Sequence, residues 1–156
     1  MDKLDIVTDE SGNKVVLLPE IIFSNKQNIN WDDVEDYLGK YVGELIEIAE
    51  TRDIIYIGNK FPDEYGGSSY TRKTKGARAK AKANAAQGIR EMVEIATDKV
   101  YRENHKEKHS EDAHNGWFYY VTRFAIPLYD NEKKTGEYNV YSACLVVNHA
   151  ANGKMY

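Results

Sequence analysis

The segments WFYYVTRFAIPL at 117–128 and YNVYSACLVVNH at 138–149, with DNEKKTGE at 130–137 between them, decide the fold of this chain. Aromatic and β-branched residues dominate the two flanking segments, and the polar, glycine-containing stretch between them is turn-forming. The pair therefore reads as an antiparallel β-hairpin closing the chain. Alternation gives its first strand two faces, with Phe118, Tyr120, Phe124 and Ile126 on one and Trp117, Tyr119, Val121 and Arg123 on the other. The first set is the more apolar and is expected to cover the core. Asn152-Gly153 supplies a further turn, after which only Lys154, Met155 and Tyr156 follow.

Working back from the hairpin, the Ala-, Lys-, Arg- and Glu-rich stretch from 76 to about 104 reads as helical, as one helix or as two broken at Gly88. Residues 60–71 hold Pro62, Gly66 and Gly67 and read as a loop, and DIIYI at 53–57 reads as a buried strand closed by Gly58. Upstream, Trp31, Val34, Leu38, Tyr41, Leu45 and Ile48 recur at helical spacing. Asn30 stands at the N-cap and Asp32 and Asp33 in the first turn, which predicts a helix over about 31–50. Short extended segments are expected around 15–18 and 21–23, after a turn at 10–13. The predicted class is α+β, with N-terminal and central helices packed on a C-terminal antiparallel β-sheet. Residues 1–156 read as one domain in which 1–20 are irregular or an added hairpin.

With 156 residues, 42% hydrophobic and 29% charged, the chain has the composition of a globular domain and not of a disordered one. Cys144 is the only cysteine, so no intrachain disulfide forms; its neighbours Ala143 and Leu145 predict a buried thiol and a reducing compartment. The opening MDKLDIVTDE has no basic and apolar leader pattern, and no apolar run reaches the roughly 18 residues of a spanning helix, so a cytoplasmic protein without a membrane partner is expected. The net charge of −4 is unevenly spread. Residues 1–70 carry 15 acids against 6 bases, 71–90 carry 7 bases and no acid, and 91–156 carry 10 acids against 8 bases.

That basic stretch supplies the first candidate site: Arg72, Lys73, Lys75, Arg78, Lys80 and Lys82, followed by Arg90. A helix sets Lys75, Arg78 and Lys82 on one side, where a nucleic acid or another polyanion releases counterions on binding. The same residues also suit the solvated face of an Ala-rich helix. A second candidate is the trio His105, His109 and His114, of which the first two share a helix face. Zinc could use that spacing with His114 as a third ligand, but HKEKH lacks the Glu of HExxH and Cys144 is remote in sequence; ordinary surface histidines, or an acid–base role for one of them, are the other readings, and no metal and no cofactor is assigned. The third candidate joins Tyr119, Arg123, His149 and Lys154 on or beside one sheet. These types meet the needs of metal-independent phosphodiester cleavage, a base, an acid and a cation for the phosphorane charge; Tyr and Arg are equally ordinary on an exposed sheet. P-loop, Rossmann, serine-hydrolase and zinc-deaminase patterns are absent.

The segments IIFSNKQNINWDDVEDYLGKYVGE, DIIYIGNKFPDEYGGSSYTRKTKG, AKAKANAAQGIREMVEIA, GWFYYVTRFAIPL and VVNHAANGKMY span about 20–156. Together they resemble a domain of large polyvalent proteins of phages and conjugative elements in gut bacteria, one compared at fold level with the barnase, EndoU, colicin and RelE nucleases. The resemblance implies a mobile-element nuclease-like domain binding RNA or DNA, with metal-independent ribonuclease chemistry. It places His109, Trp117, Tyr119, Arg123, His149, Gly153 and Lys154 in the recurring pattern; if cleavage occurs, histidine chemistry makes His109 or His149 the base or acid. Two departures stand out: such domains continue past the position of Tyr156 with an apolar strand and a basic tail, and often carry Arg where this chain has Asn148. The rival expectation is a small phage-type, anti-CRISPR-like inhibitor that binds a host defence complex, its acidic N-terminal third imitating nucleic acid. A third is an accessory domain that needs a partner.

Overall fold

The computed structural model of the chain describes residues 4–23, 29–62, 65, 77–102 and 116–148, with the backbone alone at 77, 78 and 148. It is an α+β structure organised around one long hairpin. Strand β6 (Trp117–Asp130) pairs antiparallel with β7 (Lys133–Asn148) over its whole length, from Trp117 opposite Asn148 to Asp130 opposite Lys133. The connection is tighter than the expected turn over 130–137. Asn131 and Glu132 take φ of 48° and 66°, the two-residue left-handed turn whose twist matches the strands, so Lys133–Glu137 extend β7.

The other edge of β6 is shared. Strand β5 (Thr97–Arg102) pairs antiparallel with residues 117–121, and β2 (Lys14–Leu17) pairs parallel further along, Val16 opposite Phe124 and Leu17 opposite Ala125. The first residues form an added hairpin, β1 (Ile6–Thr8) against β2, around a turn in which the Asp9 carboxylate accepts from the Ser11 and Asn13 amides at 2.9 Å each. The sheet is thus not confined to the last third of the chain, and it contains one parallel pairing.

Two predicted helices end early. Helix α1 (Trp31–Leu38) starts where expected, with Asn30 Oδ1 accepting from the Asp32 and Asp33 amides. A 3₁₀ turn over Gly39–Tyr41 and Gly43, at φ +92°, end it, and Leu45–Glu47 form β3, paired with β4 (Ile54–Tyr56). Helical spacing of Leu45 and Ile48 was compatible with both readings, and pairing with 54–56 decides for the strand. The second stretch divides into α2 (Ala77–Ala85), a 3₁₀ turn over Ala86–Gly88 and α3 (Ile89–Glu94). Its predicted end, 97–102, is β5, because the exposed edge of β6 satisfies its backbone groups. The break falls at Gly88, whose backbone leaves the helical region at φ −117° and ψ 23°, and β2 packs close to it: a Cβ there would lie 3.1 Å from Leu18 Cδ2 and 3.3 Å from Val16 Cγ1.

The core lies on the predicted face of β6. Tyr120, Phe124 and Ile126 are buried, and Phe118 packs beside them at the rim. Tyr120 and Val147 join Trp31, Val34, Leu38, Ile46 and Ile55 in one cluster, while Phe124 and Ile126 meet Val16, Leu18 and Met92 in another. Helix α2 contributes to both. Its Ala79 and Ala83 face the first cluster and Ala81 and Ala85 the second, so small side chains let neighbours close on it from two sides. Asn84 is fully buried with all its hydrogen-bonding capacity used: Oδ1 accepts from the Ile22 and Phe23 amides, and Nδ2 donates to the Phe23 and Lys80 carbonyls. Gln87 Nε2 donates to the Glu20 carbonyl, and the two amides clamp the irregular segment 20–23 to the helix.

Candidate nucleic-acid interface

Tyr119 and Arg123 stand on β6 with their side chains on the face away from the core, as period two requires. They are four positions apart, ~13 Å along the strand. Register places Val100 and Val146 on either side of Tyr119, Cys144 opposite Val121, Ser142 opposite Arg123, and Arg102 opposite Trp117. The Arg102 guanidinium lies 5.5 Å from the Tyr119 ring centroid, a cation–π contact at the sheet surface. Val100 and Val146 are 49% and 44% exposed. Between Trp117 and Arg123 this face therefore carries aromatic rings, valines and two arginines, and no carboxylate among the described residues.

Cys144 lies on this same face and is exposed, which corrects the expected buried thiol. Its neighbours Ala143 and Leu145 are the residues that turn inward, so an apolar sequence neighbourhood misreports a residue whose strand alternates. Partial burial pushes the thiol above its ordinary value and the Arg102 charge pulls the other way.

Among the described residues, the expected sites on α2 and on β6 are not brought together. Lys80 and Lys82 are half-buried on α2, which packs on the core face, so the sheet separates them from Tyr119 and Arg123. The Lys82 ammonium sits 5.0 Å from the Tyr65 ring centroid, and Tyr65 donates its hydroxyl to the Lys82 carbonyl at 2.5 Å. Burial lowers the Lys82 ammonium below its ordinary value. Arg78 lies in α2, but its side chain falls outside the described residues, as do Arg72, Lys73, Lys75, His105, His109, His114, His149, Gly153 and Lys154. Among the described residues no group of three His, Cys, Asp or Glu side chains is arranged to hold a metal ion. No helix of the described residues is long and apolar enough to cross a membrane.

Two features escaped the sequence reading. Val100 and Arg102 fall in the stretch that composition predicts as helical; Asp98–Arg102 does not alternate, and the β-branched and aromatic pair Val100-Tyr101 is its one local strand signal. The second is a polar cluster on the core side: Asp53 Oδ2 accepts from the Tyr120 hydroxyl at 2.6 Å and the Thr51 hydroxyl at 2.8 Å, and pairs with Lys99 Nζ at 2.7 Å. Burial alone would raise the Asp53 carboxyl, but the Lys99, Tyr120 and Thr51 donors outweigh it and hold it below its ordinary value. Lys99 also sits 4.2 Å from the Phe118 ring centroid. This cluster ties the β3–β4 hairpin to the main sheet. Compared with known proteins, the chain matches no family model, no curated protein and no solved structure.

Proposed function

We propose that the chain is a nucleic-acid-binding domain that takes RNA or DNA on the outer face of its sheet, in line with the mobile-element, nuclease-like class that its segments resemble. The observation that carries this reading is Arg102 over the Tyr119 ring, with Arg123 further along the same carboxylate-free face. Cations beside an accessible ring suit a polyanion that also offers flat base surfaces. Of the residues expected to cleave a phosphodiester, Tyr119 and Arg123 share this face, where an arginine can neutralise phosphate charge and a tyrosine can position a phosphate or a base. Metal-independent cleavage is the extension of this reading, with His109 and His149 as acid and base and Lys154 as a further cation.

Incubating the purified protein with labelled RNA and DNA in chelator, across a salt titration, tests both levels. Binding that weakens with salt, and whose salt dependence is shallower in Arg102→Gln and Arg123→Gln, supports the interface. Shortened strands that persist in chelator, and are lost in His109→Ala or His149→Ala, support cleavage. Intact strands leave a binding protein. Failure to bind either nucleic acid returns the function to a protein partner, such as the host defence complex of the inhibitor reading.

A further inference from the structure

The pattern of charge and apolar surface across the outer face points to which form of nucleic acid it accepts. Tyr119 does not sit in a ring of cations. Its two cross-strand neighbours are Val100 and Val146, both about half exposed, and the arginines lie to either end. The middle of the face is thus an apolar band three strands wide, with the Arg102 guanidinium reaching the Tyr119 ring from one end and Arg123 standing beyond the other.

A duplex presents phosphates to a flat surface and keeps its base faces stacked inside, so it would set charge against Val100 and Val146 with nothing to compensate the lost hydration. A single strand can turn its bases onto the band and leave its phosphates at the arginines. Same-face residues on β6 repeat every ~6.7 Å, which is comparable to the backbone repeat of one extended nucleotide. We propose that the face selects single-stranded over double-stranded nucleic acid, with a base stacked on Tyr119 between Val100 and Val146 and flanking phosphates at Arg102 and Arg123. This rests on the nucleic-acid reading above and adds to it the form of the ligand and its position.

The test uses the whole protein and one labelled mixed-sequence oligonucleotide in three forms: as a single strand, annealed to its complement, and with abasic sites at its centre. The thiol of Cys144, opposite Val121 in the middle of the face, serves as a reporter through its alkylation rate. The single strand is expected to bind at least about ten-fold tighter than the duplex or the abasic strand, and to slow alkylation of Cys144. Tyr119→Leu, which keeps an apolar strand residue but no ring, is expected to lose about ten-fold or more in single-strand affinity, and Tyr119→Phe to lose little. Equal affinity for duplex and single strand, or for abasic and intact strand, overturns the selectivity while the nucleic-acid reading stands. Tight single-strand binding with unchanged alkylation of Cys144 moves the ligand to another surface and overturns the placement. Absence of binding to all three forms overturns both readings.

Discussion

The Tyr120 hydroxyl donates to Asp53 Oδ2 at 2.6 Å, joining residues 67 positions apart in the chain. Tyr120 is buried in the middle of the long hairpin and Asp53 leads into β4, so this bond fastens the small sheet to the large one. Hydrogen bonds to a charged acceptor are worth more than neutral ones, and Tyr120→Phe leaves Asp53 with only Lys99 and Thr51 as side-chain donors among the described residues. The variant is expected to lose about 2 kcal/mol in urea unfolding. A midpoint and slope equal to those of the parent would contradict the assignment.

The same pair sets pH limits. Asp53 is held below its ordinary value, so the unfolded chain binds its proton first, and the stability Asp53 contributes is present above about pH 4 and lost as pH falls through the lowered value. Unfolding free energies measured between about pH 5 and 2 should fall more steeply in the parent than in Asp53→Asn. At the other end, burial, then the hydrogen bond to Asp53 and its charge, raise the Tyr120 hydroxyl, and burial raises those of Tyr41 and Tyr65. Their contribution is present below about pH 10 and is lost as pH rises beyond it, because the unfolded chain ionises first.

Asn84 organises a segment with no secondary structure of its own. Asn84→Ala removes partners from the Ile22 and Phe23 amides and from two carbonyls, and is expected to cost about 3 kcal/mol. Hydrogen exchange localises the effect: the Ile22 and Phe23 amides should lose protection ahead of the β6–β7 amides. Uniform loss across the chain would show that Asn84 acts only through global stability.

Phe124 is 4% exposed and stacks on Tyr141 at 5.4 Å between ring centroids. Truncation to alanine leaves a cavity beneath Val16 and Ile126, and a loss of about 3–5 kcal/mol is expected from thermal or chemical unfolding. Melting within error of the parent would exclude a closely packed second cluster.

Cys144 should react with a maleimide in the native protein, without denaturant, because it is exposed on the outer face. Its rate at neutral pH should be below that of a free cysteine, since partial burial raises the thiol. A requirement for denaturant would return the thiol to the core.

Much of this architecture was legible in local pattern. Asn30 with Asp32 and Asp33 announced the start of α1, Gly88 marked where a break between two helices was one of two equal readings, and period two in 117–128 separated the core face from the outer face correctly. These features depend on contacts within a few residues, or on one residue's conformational limits, and sequence carries such information directly.

What only the tertiary structure decided is whatever depends on which strand edge receives which backbone. The segments 45–47 and 97–102 each suit a helix or a strand by composition, and the partners 54–56 and 117–121 select the strand. The parallel contact between β2 and β6 brings residues over 100 positions apart into register, and no local pattern encodes it. The candidate interface shows the same division. Tyr119 and Arg123 were visible on one face from alternation alone, but Arg102, Val100 and Val146 reach that face from other strands, and Asp53 meets Lys99 and Tyr120 only once both sheets are packed. Alternation fixes where a side chain points along its own strand; its neighbours across the sheet are fixed by pairing, which is a property of the whole chain.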